Sequence, residues 1–301
     1  MFNKAIFKAV IGSMRPPFLV LTLAVISLAA ALANFQNQEW SVSLFVLVLL
    51  GGLSAHIAVN MLNEYEDFHS GLDDLTVKTP FSGGSGSLQA VPEAAAWVLQ
   101  MGWFFLGFVA ALGVYFIALR GWGLLPLGLI GLLIVVAYTS KITKMPWLCL
   151  IAPGFAFGPL MVMGAYYVLT GEYDWVVFGV SLVPFFLVNN LLLLNQFPDA
   201  SADKMVGRYN VLILLGSKAS GGIFNLFLLS SYLVILFLVA LEYLPLWALL
   251  GGLTLLMAVP LALKVRAYHD DLERLMPALG LNVAVNILTP LLIALGLFLA
   301  H

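Results

Sequence analysis

Residues 60–74, "NMLNEYEDFHSGLDD", hold two Asn, two Glu and three Asp in a chain of which only 9% is charged. Asn60, Asn63 and Asp67 stand at i, i+3 and i+7, so a helix carries them on one face. Asp73 lies six residues past Asp67, about 240° further round at about 100° per residue, and an unbroken helix points it away. Ser70-Gly71 offers the break that brings it back. A second group, in "NQFPDASADK" at 195–204, repeats the device: Asn195, Asp199 and Asp203 step by four. Pro198 fits the first turn of a short helix or a kink in a long one. Either choice aims two carboxylates in one direction.

The elements that must position these groups are set by composition. The 301 residues are 62% hydrophobic, with a mean hydropathy of +1.04, so a soluble globule would expose large apolar patches. The solvent is a bilayer. Nine apolar stretches approach the roughly 20 residues that cross about 30 Å of hydrocarbon: 17–33, 42–62, 94–119, 122–140, 148–170, 174–195, 221–242, 246–264 and 278–300. The expected fold is all-α, nine transmembrane helices around a central cavity in one domain, 1–301. Long apolar helices exclude an outer-membrane barrel.

Orientation follows from the basic residues, which favour cytoplasmic loops. With nine spans, 12 of the 13 Lys and Arg fall on one side and only Arg120 on the other. The N-terminus and the acidic loops are therefore expected in the cytoplasm, with His301 outside, in a cell (inner or plasma) membrane. The single Cys149 forms no intramolecular disulfide, and no basic tract suits a nucleic acid.

Both acidic groups then follow even-numbered spans on the cytoplasmic face. Clustered hard oxygen ligands suit Mg²⁺, which uses one or two carboxylates and completes its shell with waters and phosphate oxygens. No His or Cys spacing suits zinc, and His56, His69, His269 and His301 are expected in structural or solvated places. Any single acid reads as a cap or a solvated loop residue; two Asn-linked groups on one face read as a metal clamp. Counter-charge for phosphate lies on the same side in Lys78, Lys141, Lys144, Lys204 and Arg208, although the positive-inside bias explains any one of them. "SGGSGS" at 82–87 lacks the Gly-Lys-Ser/Thr ending of a P-loop, and is a lid or a plain linker.

These motifs resemble those of the UbiA superfamily of intramembrane prenyltransferases. "NEYEDFHSGLD" (63–73) is similar to its first motif, Asn-Asp-Tyr-x-Asp with a further Asp, spaced as in the 1,4-dihydroxy-2-naphthoate polyprenyltransferases of the menaquinone branch. "DASADKMVGR" (199–208) resembles the second motif; "VLILLG", "AYTS" (137–140) and "GPLMVMGAYYVLTG" (158–171) continue the likeness. Two positions depart: Glu64 replaces the usual Asp, and "QFPD" lacks the Arg that often precedes the second motif's Asp.

The resemblance implies Mg²⁺-dependent transfer of a polyprenyl group from a prenyl diphosphate to an aromatic acceptor, with 1,4-dihydroxy-2-naphthoate the first choice. It implies Asp67, Asp73, Asp199 and Asp203 as catalytic carboxylates, and the same four with Asn63 and Asn195 as metal ligands. Asn60 and Glu64 are further ligands or support them, and Lys78, Lys141, Lys144, Lys204 and Arg208 contact the diphosphate. Tyr65, Tyr138, Tyr166 and Tyr167 are candidates for shielding a carbocation. The partners expected are the two substrates and membrane lipids, with no nucleic acid and no obligate protein partner. Another quinone or lipid acceptor is the alternative within the family. A multi-pass transporter is the alternative outside it, favoured by Asn189, Asn190, Asn282 and Asn286 within spans.

Overall fold

The computed structural model describes residues 3–76 and 83–300, and among these every regular element is helical, without a strand. Helix α1 (Lys4–Ser13) is capped by Asn3, whose side chain accepts the Ile6 N–H at 2.9 Å. Arg15 then takes a left-handed conformation (φ 53°) before Pro16-Pro17, and this break turns the chain into α2 (Val20–Phe35). Ala, Leu and Val on nearly every face of α2 are buried, so the helix runs through the centre of the bundle.

Helix α3 (Val42–Ser70) is followed by α4 (Ala95–Arg120), α5 (Leu125–Ala137) and α6 (Pro146–Phe155). A π turn at Ala156–Leu160, with Pro153 before it and Pro159 within it, joins α6 to α7 (Met161–Thr170). Helix α8 (Trp175–Met205) is the second central helix, and α9 (Ser217–Ala240), α10 (Leu255–Tyr268) and α11 (Leu272–Leu299) complete the bundle. Pro198 lies inside α8, a single helix of 31 residues, so the second acidic motif extends a membrane-crossing helix instead of starting a new one.

Among the described residues, eight helical stretches are long and apolar enough to cross a membrane. The fourth expected span, 122–140, folds as the shorter helical stretch Trp122–Ala137. The reason is local: the helix ends at Ala137, and the chain turns through 138–144 to close the acidic end of the molecule. Helix α5 contributes no fully buried residue and lies as a thin outer wall. Large apolar side chains such as Val114, Leu133 and Leu256 face outwards, as lipid requires, and Trp122, Trp175 and Trp247 sit near one set of helix ends. This is a multi-pass membrane protein.

Two of the asparagines inside the spans bind helices together, and a third bonds within its own helix. Asn190 donates to the Phe224 carbonyl at 2.8 Å, Asn282 to the Asn190 carbonyl at 3.0 Å and Asn286 to the Asn282 carbonyl at 2.9 Å. Asn190 and Asn282, whose side-chain amides serve the backbone of a neighbouring helix, act as interhelical glue.

Candidate active site

The first acidic motif forms the end of α3. Asn63 donates through Nδ2 to Asp67 Oδ2 at 2.6 Å, the i, i+4 pair expected on one helical face, and its Oδ1 accepts from Thr139 at 3.1 Å. Gly71 stops the helix with φ 73°, a conformation that costs glycine little, and the short helical turn Leu72–Leu75 doubles back. Asp73 thereby lines the same cavity as Asp67. From the other side, α8 brings Asn195 and Asp199 to that cavity, whose volume is about 250 Å³.

Two arginines supply its positive charge. Arg208 forms an ion pair with Asp67, and its Nη1 lies 3.5 Å from Asp203 Oδ1. One guanidinium therefore joins the two acidic motifs. Burial opposes its charge, but Asp67 and Asp203 outweigh that cost and raise its pKa further. Arg15, placed by the break after α1, lines the cavity and pairs with Glu64 at 2.9 Å. Among the described residues, no three His, Cys, Asp or Glu side chains gather closely enough to hold a metal ion. Arg208 stands where the two motifs would share one.

The expected residues thus divide. Asn60, Asn63, Asp67, Asp73, Asn195, Asp199 and Arg208 line the cavity. Asp203 is buried behind Arg208, accepting from Asn210 Nδ2 at 3.0 Å. Asn60 donates to the Met14 carbonyl at 3.0 Å and so fastens α3 to the end of α1. Glu64, fully buried, accepts the Ser85 N–H at 3.0 Å and bonds the Ser85 hydroxyl besides Arg15. Lys141, Lys144 and Lys204 are exposed and do not line the cavity. Lys78 lies outside the described residues.

The part of the glycine-rich stretch that is described packs directly on the site. Gly84 has φ 67°, and a Cβ there would sit 2.6 Å from Asp73 Oδ1. Gln89 holds the other Asp73 oxygen at 3.2 Å. Enclosure raises the Asp73 pKa to about 6: burial contributes most, and Asp67 and Glu64 add to it against Arg15 and Gln89.

Of the candidate aromatics, Tyr138 lines the cavity, whereas Tyr65 stacks on His69 with centroids 4.0 Å apart. Tyr166 and Tyr167 belong to the far end, bonding Gln36 and the Arg120 carbonyl. Sequence reading missed Arg15 as a site residue. Its one signal was the Pro-Pro that follows it, a helix break that can turn a basic residue inwards.

Below the charged end the cavity becomes apolar and meets a second chamber of about 360 Å³, through Ala55, Val135, Ala156 and Met161, which line both. That chamber lies between α3, α4, α5 and α7 and is lined by Leu, Val, Ile, Ala and six glycines. An anionic head group at the acidic end and a long hydrocarbon tail below it suit this arrangement.

The geometry defines an all-helical membrane protein with a charged cavity at one end and an apolar chamber beneath. The UbiA prenyltransferase family profile matches residues 18–276, and the chain belongs to that family; it is a prenyltransferase. It is 30% identical over 209 residues to the 1,4-dihydroxy-2-naphthoate octaprenyltransferase of Bacillus subtilis (strain 168), covering 68% of this chain and 65% of that one. It is 29% identical over 318 residues to the protein of the same description from Escherichia coli (strain K12), covering 98% and 96%. A UbiA homolog from Aeropyrum pernix K1 shares the fold with a TM-score of 0.68 and 19% identity, over 92% of this chain and 97% of that one. A UbiA homolog from Archaeoglobus fulgidus bound to DMAPP and Mg²⁺ does so with a TM-score of 0.56 and 14% identity, over 95% and 98%.

Proposed function

We propose that the protein transfers a polyprenyl group from a prenyl diphosphate to 1,4-dihydroxy-2-naphthoate, with Mg²⁺, at the cytoplasmic face of a cell membrane. The observation that carries this reading is the meeting of both acidic motifs at one cavity that continues into an apolar chamber. The descriptions of the bacterial relatives support the acceptor.

The donor set fits the metal. Asn195 Oδ1 is buried without a hydrogen-bond partner, and the cavity's other oxygens are carboxylates and amides, which suit a hard cation. Asn63, Asp67, Asp73, Asn195 and Asp199 would hold it, with Asp203 behind them. When bound, Mg²⁺ supplies Lewis-acid neutralisation of the diphosphate as it departs.

The protein's own residues do the rest. Arg15 and Arg208 offer guanidinium donors to phosphate oxygens, a geometry that Arg serves better than Lys. Tyr138 and Phe157 present rings to the cavity, where a carbocation released from the diphosphate meets an aromatic face and little water. The apolar chamber takes the tail, whose burial contributes about 0.8 kcal/mol per CH₂.

The test is pyrophosphate release by detergent-purified protein with Mg²⁺ and a geranyl-to-octaprenyl diphosphate series, with and without 1,4-dihydroxy-2-naphthoate. Asp67→Ala and Asp199→Ala serve as controls. Acceptor-dependent release lost in both variants is expected. Release indifferent to the acceptor would discard the naphthoate; no release and no donor binding would discard prenyl transfer.

A further inference from the structure

His56 lines the cavity on α3 and the chemistry above does not use it. It lies seven residues from Asn63 towards the helix interior, about 10 Å at about 1.5 Å per residue. The preceding residue, Ala55, lines both cavities, so His56 stands on α3 at the level where the two meet.

The side chain is held in place from two sides. Thr22 Oγ1, on the fully buried face of α2, lies 2.8 Å from His56 Nδ1. That pairing fixes the ring and leaves Nε2 with no hydrogen-bond partner among the described residues. Phe157 meets the imidazole edge to face, with ring centroids 4.9 Å apart and planes at 79°.

Phe157 is itself rigidly placed. It belongs to the π turn Ala156–Leu160, a feature that recurs at functional sites. Behind it the backbone presses on α8: a Cβ on Gly154 would lie 2.1 Å from the Phe185 carbonyl oxygen, and one on Gly158 2.4 Å from that of Ser181. Asn189 accepts the Gly154 N–H at 2.6 Å and locks the contact.

A fixed imidazole with one unpaired nitrogen, beside an aromatic face in an apolar wall, is built for a flat ring that carries a hydroxyl. We propose that His56 recognises the acceptor: Nε2 hydrogen-bonds a ring hydroxyl, and Phe157 packs against the ring. Thr22 is the positioning residue that orients the imidazole. This rests on the prenyl-transfer reading and adds to it the residue that selects a hydroxylated aromatic. A site that hydrogen-bonds a substrate hydroxyl rejects the analogue lacking it, because its own buried polar atom is left unpaired.

The experiment is direct binding of 1,4-dihydroxy-2-naphthoate and of 2-naphthoate to detergent-purified wild type, His56→Phe, His56→Gln and Thr22→Val. Mg²⁺-dependent binding of a prenyl diphosphate and the thermal midpoint are measured on each. Wild type is expected to prefer the dihydroxy compound by about tenfold or more. His56→Phe abolishes the preference, His56→Gln restores part of it and Thr22→Val weakens it, while donor binding stays within about twofold throughout. An undiminished preference in His56→Phe and His56→Gln overturns the proposal. So does loss of donor binding in proportion, which would make His56 a structural or donor residue. Should His56-dependent naphthoate binding occur without prenyl transfer, the assigned reaction falls and the acceptor contact stands.

Discussion

Arg208 reaches across from beyond the second acidic motif to form an ion pair with Asp67 of the first, a residue 141 positions earlier in the chain. With Asp203 on its other flank, it occupies the place of a cation shared by both motifs. Removing one partner of a buried ion pair leaves charge uncompensated, at a cost of about 3–5 kcal/mol. Arg208→Ala is therefore expected to lower the thermal midpoint markedly without Mg²⁺ and to recover more than wild type when Mg²⁺ is added. Prenyl transfer should fall by about 10²- to 10³-fold, as for loss of one preorganised donor. Thermal scans with and without the ion decide: equal Mg²⁺ shifts in both proteins would mean that the ion and Arg208 do not compete for one place.

Asp73 makes the metal-free site sensitive to pH. Its pKa stands at about 6, above the ordinary 3.8. In the folded protein the neutral carboxyl is thus favoured, a contribution present in full below about 4 and lost as pH rises through about 6. Binding a cation to the carboxylate must displace that proton. Mg²⁺ affinity is expected to rise up to about tenfold per pH unit below pH 6 and to level off above it. Calorimetry between about pH 5 and 8 measures this, and Asp73→Asn should flatten the profile. A wild-type affinity without a bend near 6 would remove Asp73 from the ligand set.

Glu64 joins three elements. It pairs with Arg15 after α1, accepts from Ser85 in the glycine-rich stretch and itself belongs to α3. Its reach suits a latch better than a metal ligand. Glu64→Gln should cost about 3 kcal/mol, the low end for a broken buried pair because Arg15 is partly exposed. Mg²⁺ affinity should stay within about threefold of wild type, while proteolysis after Gly84 quickens as the stretch loosens. A large loss of Mg²⁺ affinity at unchanged stability would return Glu64 to the metal.

How far the sequence carried this site depends on the kind of residue. Asp67, Asp73, Asn195 and Asp199 were legible because carboxylates are scarce in so apolar a chain and because helical spacing fixes their faces. Ser70-Gly71 announced the turn that Asp73 needs. Arg208 was named among five phosphate contacts without any signal to set it above the lysines, and Arg15 was read as a loop cation, since nothing local tells a basic residue that neutralises a site from one that obeys the positive-inside bias; only the pairing of distant segments does. For the same reason Lys141 and Lys144, well placed along the sequence, ended up exposed. Hydropathy found the eight long spans but also counted 122–140, whose helix the structure ends at Ala137, before the polar Thr139, Ser140 and Lys141. The π turn at Ala156–Leu160 had no signal beyond two prolines, and with it Phe157 stayed hidden.

The apolar chamber makes a prediction about chain length. Gly113 on α4, and Gly128 and Gly131 on α5, line it, and an added Cβ at any of them would meet no atom within 4 Å. Each therefore faces open space that a larger side chain can fill without displacing backbone. If the donor tail lies there, Gly131→Phe and Gly113→Phe remove volume from its path while leaving the charged end untouched. The expected result is a shift of the preferred donor towards shorter prenyl diphosphates, with octaprenyl turnover falling at least about tenfold and geranyl turnover within about twofold of wild type. The measurement is kcat/KM across the donor series, since tail binding that is lost equally in ground and transition states appears there as a raised KM. An unchanged length profile in both variants would send the tail out between other helices and leave the chamber to a lipid.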